Sequence, residues 1–171
     1  RSLNGFDIDS LAVQIARYNI SKVKHCGTDY CSIKNIDFLD NGIFNNHSAT
    51  ATHLQADLII GNPPWKSKFT RWEKDFFRKE FISTRSGINT FSMFIEQSIR
   101  YLRPGGIVAF LLPEALLNIR AHTDLRKFIL NTFSIQNITM LGDIFKGVFA
   151  PSIALIMQYQ PNETKRKSQI I

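Results

Sequence analysis

Asn62-Pro63-Pro64-Trp65 follows directly on an apolar run, Ala56 to Gly61, and its residue types suit the alkylation of a nitrogen that resists it. The exocyclic amine of a nucleobase, or a carboxamide nitrogen, has its lone pair delocalised into a π system. It becomes a nucleophile only when that pair is localised. Two acceptors can do this: the side-chain oxygen of Asn62 and the main-chain carbonyl of Pro63 each take one N–H and turn the lone pair toward an electrophilic methyl group. The prolines lock φ near −65° and keep the preceding residue out of the helical region, so these carbonyls are not consumed by a helix. Trp65 adds a π face on which a planar base, drawn out of its stack, can lie. The plainer reading is that Pro-Pro ends a strand and Trp65 packs. With proline near 5% of average usage, such a tetrapeptide arises in roughly one chain in a few hundred, and a strand ending at that point makes it rarer.

The surrounding pattern supplies the elements that would position these groups. Short apolar runs alternate with helical stretches, which predicts a mostly parallel sheet with helices on both faces. Leu3 to Ile8 is a strand, followed by a helix from about Ser10 to Ile20, capped by Asp9 and Ser10, with Leu11, Ile15 and Tyr18 on one face. Ser32 to Phe38 is a second strand, Asp40 to His53 a loop rich in Asn, Ser and Thr, and Ala56 to Gly61 a buried strand. A helix from Thr90 to Leu102 is stopped by Arg103-Pro104-Gly105-Gly106. Ile107 to Leu112 is then a strand, Leu116 to Thr132 mostly helix, and Ile135 to Leu141 and Ser152 to Tyr159 the last strands. The tail from Pro161, with Lys165, Arg166 and Lys167, is frayed or linking. Between Lys66 and Asn89, seven basic residues (Lys66, Lys68, Arg71, Lys74, Arg78, Lys79, Arg85) alternate with Phe69, Trp72, Phe76, Phe77 and Phe81. This insertion reads either as a solvated amphipathic helix or as a phosphate-contacting element.

The 171 residues, 44% apolar and 20% charged, describe one globular domain of residues 1–160 with a basic tail over 161–171, and exclude a disordered or fibrous chain. Twenty-one Lys and Arg against fourteen Asp and Glu leave +7, which favours a polyanionic partner. Cys26 and Cys31 have no companions, and His25, His47, His53 and His122 show no ligand spacing, so no zinc site, no other metal and no disulfide framework are expected. No apolar run approaches the roughly 20 residues that cross a bilayer, and RSLNGFDIDS lacks a signal peptide's layout, so a cytoplasmic protein in a reducing compartment is expected.

With these motifs in order, the chain resembles the amino-type, S-adenosylmethionine-dependent DNA methyltransferases, specifically the N6-adenine branch of restriction-modification systems, along nearly all its length. The resemblance implies a Rossmann-like, doubly wound α/β sheet, mostly parallel with an antiparallel strand near the C-terminus. It implies transfer of a methyl group to the N6 amino group of adenine in DNA, with Asn62, Pro63, Pro64 and Trp65 as the catalytic loop. Gly5-Phe6-Asp7-Ile8-Asp9 matches the strand end that holds the cofactor's ribose, with Asp7 at the hydroxyls and Ile8 beside the adenine. Ile36-Asp37-Phe38-Leu39 matches the next, with Asp37 on the adenine amino group and Phe38 as an apolar wall. Leu102-Arg103-Pro104-Gly105-Gly106, followed by an apolar strand and Pro113, matches a structural turn that many methyltransferases share. Leu141-Gly142-Asp143-Ile144-Phe145 with Ala150-Pro151-Ser152 matches the target-base loop, where an aromatic stacks on the extruded adenine; Phe145 is the first choice and Phe149 the alternative. Taken singly, Asp7 and Asp9 also read as helix caps, Asp37 as a turn residue, and the three phenylalanines as core aromatics.

The family's glycine-rich cofactor loop and its central first strand should precede the first residue, and no module for choosing a DNA sequence is visible. Gly105-Gly106 follows a helix and leads into a strand, so it cannot replace that loop. A fragment lacking the first strand is therefore expected. The gap would be filled by the remainder of a parent chain or by strands swapped between copies, and the isolated piece would be inactive and bind the cofactor weakly or not at all. Methylation of a protein glutamine amide and of cytosine N4 use the same chemistry and stay open. So does a non-catalytic nucleic-acid binding or assembly module, which leaves the complete Asn-Pro-Pro-aromatic motif unexplained. No carboxylate and lysine cluster of a metal-dependent nuclease is present.

Overall fold

The computed structural model describes residues 2–23, 31–39, 55–65, 68–145, 147 and 149–167. It divides into two compact units, Arg1–Ala49 and Thr50–Ile171.

In the first unit, strand β1 (Leu3–Asp7) pairs in parallel with β2 (Cys31–Asn35), with Asp7 opposite Asn35. Helix α1 (Ser10–Ser21) starts because Asp9 caps it: the Asp9 carboxylate accepts from the backbone N–H of Leu11 at 2.8 Å and of Ala12 at 3.4 Å. Val13 is buried, while Leu11, Ile15 and Tyr18 of its apolar face are exposed. Strand β2 ends at Asn35 rather than running on to Phe38. The Asn35 amide is spent donating to the carbonyls of Asp7, at 3.0 Å, and Ile8, at 2.9 Å. Asp37 then turns the chain by accepting from the Leu39 N–H at 2.9 Å. Cys31 is disulfide-bonded, contrary to a fully reduced reading; a spacing that rules out a framework of bridges does not rule out one bond. The expected loop from Asp40 to His53 lies outside the described residues.

The second unit is a four-stranded sheet in the order β3-β4-β6-β5, formed by β3 (Ala56–Gly61), β4 (Leu102–Pro113), β5 (Phe133–Gly142) and β6 (Ser152–Tyr159). β3 and β4 are parallel, and β6 lies antiparallel between β4 and β5. This is the predicted mixed sheet with its one reversed strand near the C-terminus. Helices α2 (Arg71–Glu80), α3 (Thr90–Ser98), α4 (Thr123–Thr132) and α5 (Glu163–Lys167) complete the unit. Phe91 and Ile95 of α3, Leu125 and Ile129 of α4, and Val108, Leu112, Ile153 and Met157 of the sheet form one buried cluster. Removing that apolar area from water is what holds the layers together.

Three expectations are corrected here. Helix α3 ends at Ser98, and β4 begins at Leu102, before the Pro-Gly-Gly turn. The reason is tertiary. The Ala56 N–H donates to the Tyr101 carbonyl at 2.7 Å, and between the paired positions Ala56–Leu102 and Leu58–Ile107 one residue of β3 (Asp57) opposes four of β4 (Arg103 to Gly106), so the Arg103-Pro104-Gly105 stretch bulges out. Gly105 takes the left-handed φ of 82°, and a Cβ on Gly106 would lie 2.8 Å from the Ala56 carbonyl oxygen. Arg103 closes the bulge on Asp57 at 2.6 Å. Second, β3 is not a buried strand: Leu58 is 55% and Ile60 77% exposed, and among the described residues β3 pairs only with β4. Third, the segment read as frayed contains the short α5. The stretch after Leu116 is two short 3₁₀ turns, Glu114–Leu117 and Arg120–His122, before α4. Among the described residues no helix is long and apolar enough to cross a membrane.

Candidate active site

Pairing of Gly61 with Phe110 fixes where β3 ends, and the chain leaves the carboxyl end of the sheet through Asn62-Pro63-Pro64-Trp65. Asn62 is exposed, Pro63 buried, Pro64 exposed and Trp65 half-buried. The Trp65 indole Nε1 donates to the Leu111 carbonyl of β4 at 3.3 Å, which ties the ring to the sheet. Asn62 to Trp65, with Ile144, Phe145 and Ala150, line an open cleft of about 540 Å³, within the range of small-ligand sites. Among the described residues, no hydrogen bond within the protein engages the Asn62 carboxamide.

The opposite wall comes from the loop between β5 and β6. Gly142 and Gly147 adopt φ of 65° and 76°, and the Asp143 carboxylate accepts from the Ala150 N–H at 2.9 Å, drawing the two ends of the loop together. Phe145 consequently meets Trp65 edge to face, with ring centroids 5.6 Å apart and planes at 77°. Phe149 is 86% exposed and does not line the cleft. Sequence reasoning named Asn62, Pro63, Pro64, Trp65 and Phe145, and the structure brings all five to one cavity. Ile144 and Ala150 belong to the target-base loop that sequence picked out but were given no role there, and the Asp143 clasp was not foreseen; a Gly-Asp pair opening a loop was the available signal for it.

In the first unit, the parallel register sets the ends of β1 and β2 side by side. Asp7 and Asp37 are exposed there, each with one carboxylate oxygen held by a local backbone N–H, from Asp9 at 2.8 Å and from Leu39 at 2.9 Å. Ile8 is exposed, and Phe38 lies 6.1 Å from Phe6. Asn35, whose amide grips the carbonyls of Asp7 and Ile8, was not singled out by sequence.

A family model, the Eco57I restriction-modification methylase, matches residues 1–146. The chain belongs to the Eco57I restriction-modification methylase family. It is similar to the type II methyltransferase M.VspI of Vibrio sp. (strain 343), 28% identical over 159 residues that cover 93% of this chain and 36% of that one. It is likewise similar to M.HincII of Haemophilus influenzae, 28% identical over 169 residues, 91% of this chain and 30% of that one. The Eco57I-family chain thus spans about a third of the length of these relatives. Its fold is shared with the type I restriction-modification methyltransferase subunit of Streptococcus thermophilus, with a TM-score of 0.69 and 20% identity over 92% of this chain and 34% of that one.

Proposed function

We propose that the chain carries the methyl-transfer centre of a cytoplasmic DNA methyltransferase that modifies the N6 amino group of adenine. The observation that carries this reading is the exposed Asn62 carboxamide, unengaged among the described residues, at the rim of a cleft walled by Trp65 and Phe145. Asn62 Oδ1 and the Pro63 carbonyl accept the two N–H bonds of the amine, so its lone pair is presented rather than delocalised. Pro64 keeps Pro63 out of the helical region, and Trp65, tied to β4 through its indole, gives the base a wall. A base sandwiched between two rings needs roughly 7 Å between them, two layers of about 3.4 Å. The Trp65–Phe145 separation of 5.6 Å at 77° is too short and too steep for that, so Phe145 turns aside to admit the base and closes on it. After transfer the cationic nitrogen loses its proton to water, and no general base is required.

S-adenosylmethionine, when bound, supplies the electrophilic methyl group. The residues present fit it: the exposed Asp7 carboxylate suits a ribose diol, Asp37 accepts from an adenine amino group, and Ile8 and Phe38 offer apolar surface. Selection of a DNA sequence is assigned to a separate module.

The test is transfer of labelled methyl by the full-length protein, followed by nucleoside and amino-acid digestion of the acceptor. Label in N6-methyladenine, lost on Asn62→Ala, supports the reading. Full activity of Asn62→Ala, or label in N4-methylcytosine or glutamine, refutes it in its mechanism or its substrate respectively.

A further inference from the structure

Helix α2 carries a surface that the methyl-transfer centre does not use. Its start is well fixed: Thr70 Oγ1 accepts from the Glu73 N–H at 3.3 Å while the Glu73 carboxylate takes the Thr70 N–H at 2.7 Å, a reciprocal cap that holds Glu73 ionised below the usual carboxylate range. One side is anchored by buried Phe77, whose ring meets Phe69 at 5.2 Å and Phe81 at 6.2 Å. At 3.6 residues per turn, Arg71, Asp75 and Arg78 fall on the side away from Phe77, with Lys74 and Lys79 on its flanks, all exposed. Asp75 lies 3.7 Å from Arg78, and among the described residues no ion pair engages Arg71, Lys74 or Lys79 of that face. At its edge Trp72, 63% exposed, lies nearly flat on Phe76, with centroids 5.6 Å apart and planes at 14°.

We propose that α2 is a DNA-contact helix in which Arg71, Lys74 and Lys79 engage phosphates beside the extruded base and Trp72, braced by Phe76, stacks on an unpaired base. The proposal deepens the DNA reading and rests on it for the identity of the polyanion. The net charge of the face is positive, four cations (Arg71, Lys74, Arg78, Lys79) against the one carboxylate of Asp75, which complements a phosphate backbone, and a broad indole beside it adds what an aliphatic neighbour would not: a surface for a base. Covalent reach sets the place of contact. Arg71 follows Trp65 by six positions, so the start of α2 lies within about 20 Å of the acceptor loop, or roughly six base steps.

The experiment measures duplex affinity of the full-length protein across a salt series, for wild type, the triple variant Arg71→Gln/Lys74→Gln/Lys79→Gln, Trp72→Ala and Trp72→Tyr. Circular dichroism melting checks that each is folded. The slope of log affinity against log salt should fall by about 2 to 3 in the triple variant, near 0.9 for each phosphate that is no longer neutralised. Trp72→Ala should weaken binding by about 5- to 150-fold with the slope unchanged, and Trp72→Tyr should recover most of the loss. An unchanged slope in the triple variant overturns the proposal, and an unchanged affinity in Trp72→Ala overturns its stacking half. Asn62-dependent methylation with an unmoved slope refutes the role of α2 alone. No methylation by wild type with an α2-dependent slope refutes the enzyme reading alone.

Discussion

Replacing Phe145 by Ala tests the geometry of the cleft most directly, because the structure shows the contact that the ring would give up to a base. Before a base enters, Phe145 rests edge to face on Trp65 with centroids 5.6 Å apart, a contact worth about 0.5–1.5 kcal/mol. Stacked on a base it gains about 1–3 kcal/mol. The central difference is about 1 kcal/mol in favour of the closed state, or roughly fivefold, and the upper end approaches seventyfold. Phe145→Ala should therefore lower kcat/KM for methyl transfer to a duplex by about fivefold. Phe149→Ala, which removes an exposed ring outside the cleft, should leave it unchanged. Phe145→Trp should keep or improve the wild-type value. The assay is single-turnover transfer of labelled methyl, with 2-aminopurine fluorescence at the target position reporting extrusion. If Phe149→Ala were the damaging change and Phe145→Ala silent, the ring that faces the base would be the other one, and the cleft would close by a different movement of the loop.

Glu96 accepts from the backbone N–H of Ile82 at 3.1 Å, in an exposed bond, and of Ser83 at 2.8 Å, in a partly buried one, so Glu96→Ala leaves the Ser83 donor without a partner; a loss of about 1–3 kcal/mol in urea unfolding is expected. Gly106→Ala forces a Cβ to within 2.8 Å of the Ala56 carbonyl oxygen, and should separate β3 from β4 and lower Tm by several degrees, whereas Gly105→Asn, at a left-handed φ, should be milder. His122 is buried against Phe91 and within reach of the Asn89 amide; its pKa is pushed below 6.5, first by burial and then by the charge of Arg126. The unfolded chain therefore takes up that proton at a higher pH than the folded one. The contribution of neutral His122 is complete above about 6.5 and is lost as pH falls toward the folded-state value, so the pH dependence of stability there should flatten in His122→Gln.

Local chemistry was legible where local chemistry decides. Asp9 caps α1, Ala56–Gly61 and Ser152–Tyr159 fall where their apolar runs lie, and the motif from Asn62 to Trp65 sits at a strand's carboxyl end. What escaped was set by partners distant in sequence. The Pro-Gly-Gly turn is inside a strand because Ala56 pairs across it, not at the end of a helix. The exposure of Leu58 and Ile60 shows that an apolar run reports a demand for cover and not its presence. Ile144 and Ala150 have no chemistry of their own, and reach the cleft only because Asp143 folds their loop.

The indole of Trp65 is bonded to a strand whose neighbouring residues, Phe110 and Leu112, are buried in the hydrophobic interior. One jaw of the cleft is therefore mounted on the core, while the other is carried by a loop that the left-handed Gly142 and Gly147 and the Asp143 clasp shape. Substitutions that refill the interior at those positions would shift the mounted jaw by the same displacement, so attempts to thermostabilise this sheet by repacking would register as changes in turnover before they registered as changes in melting.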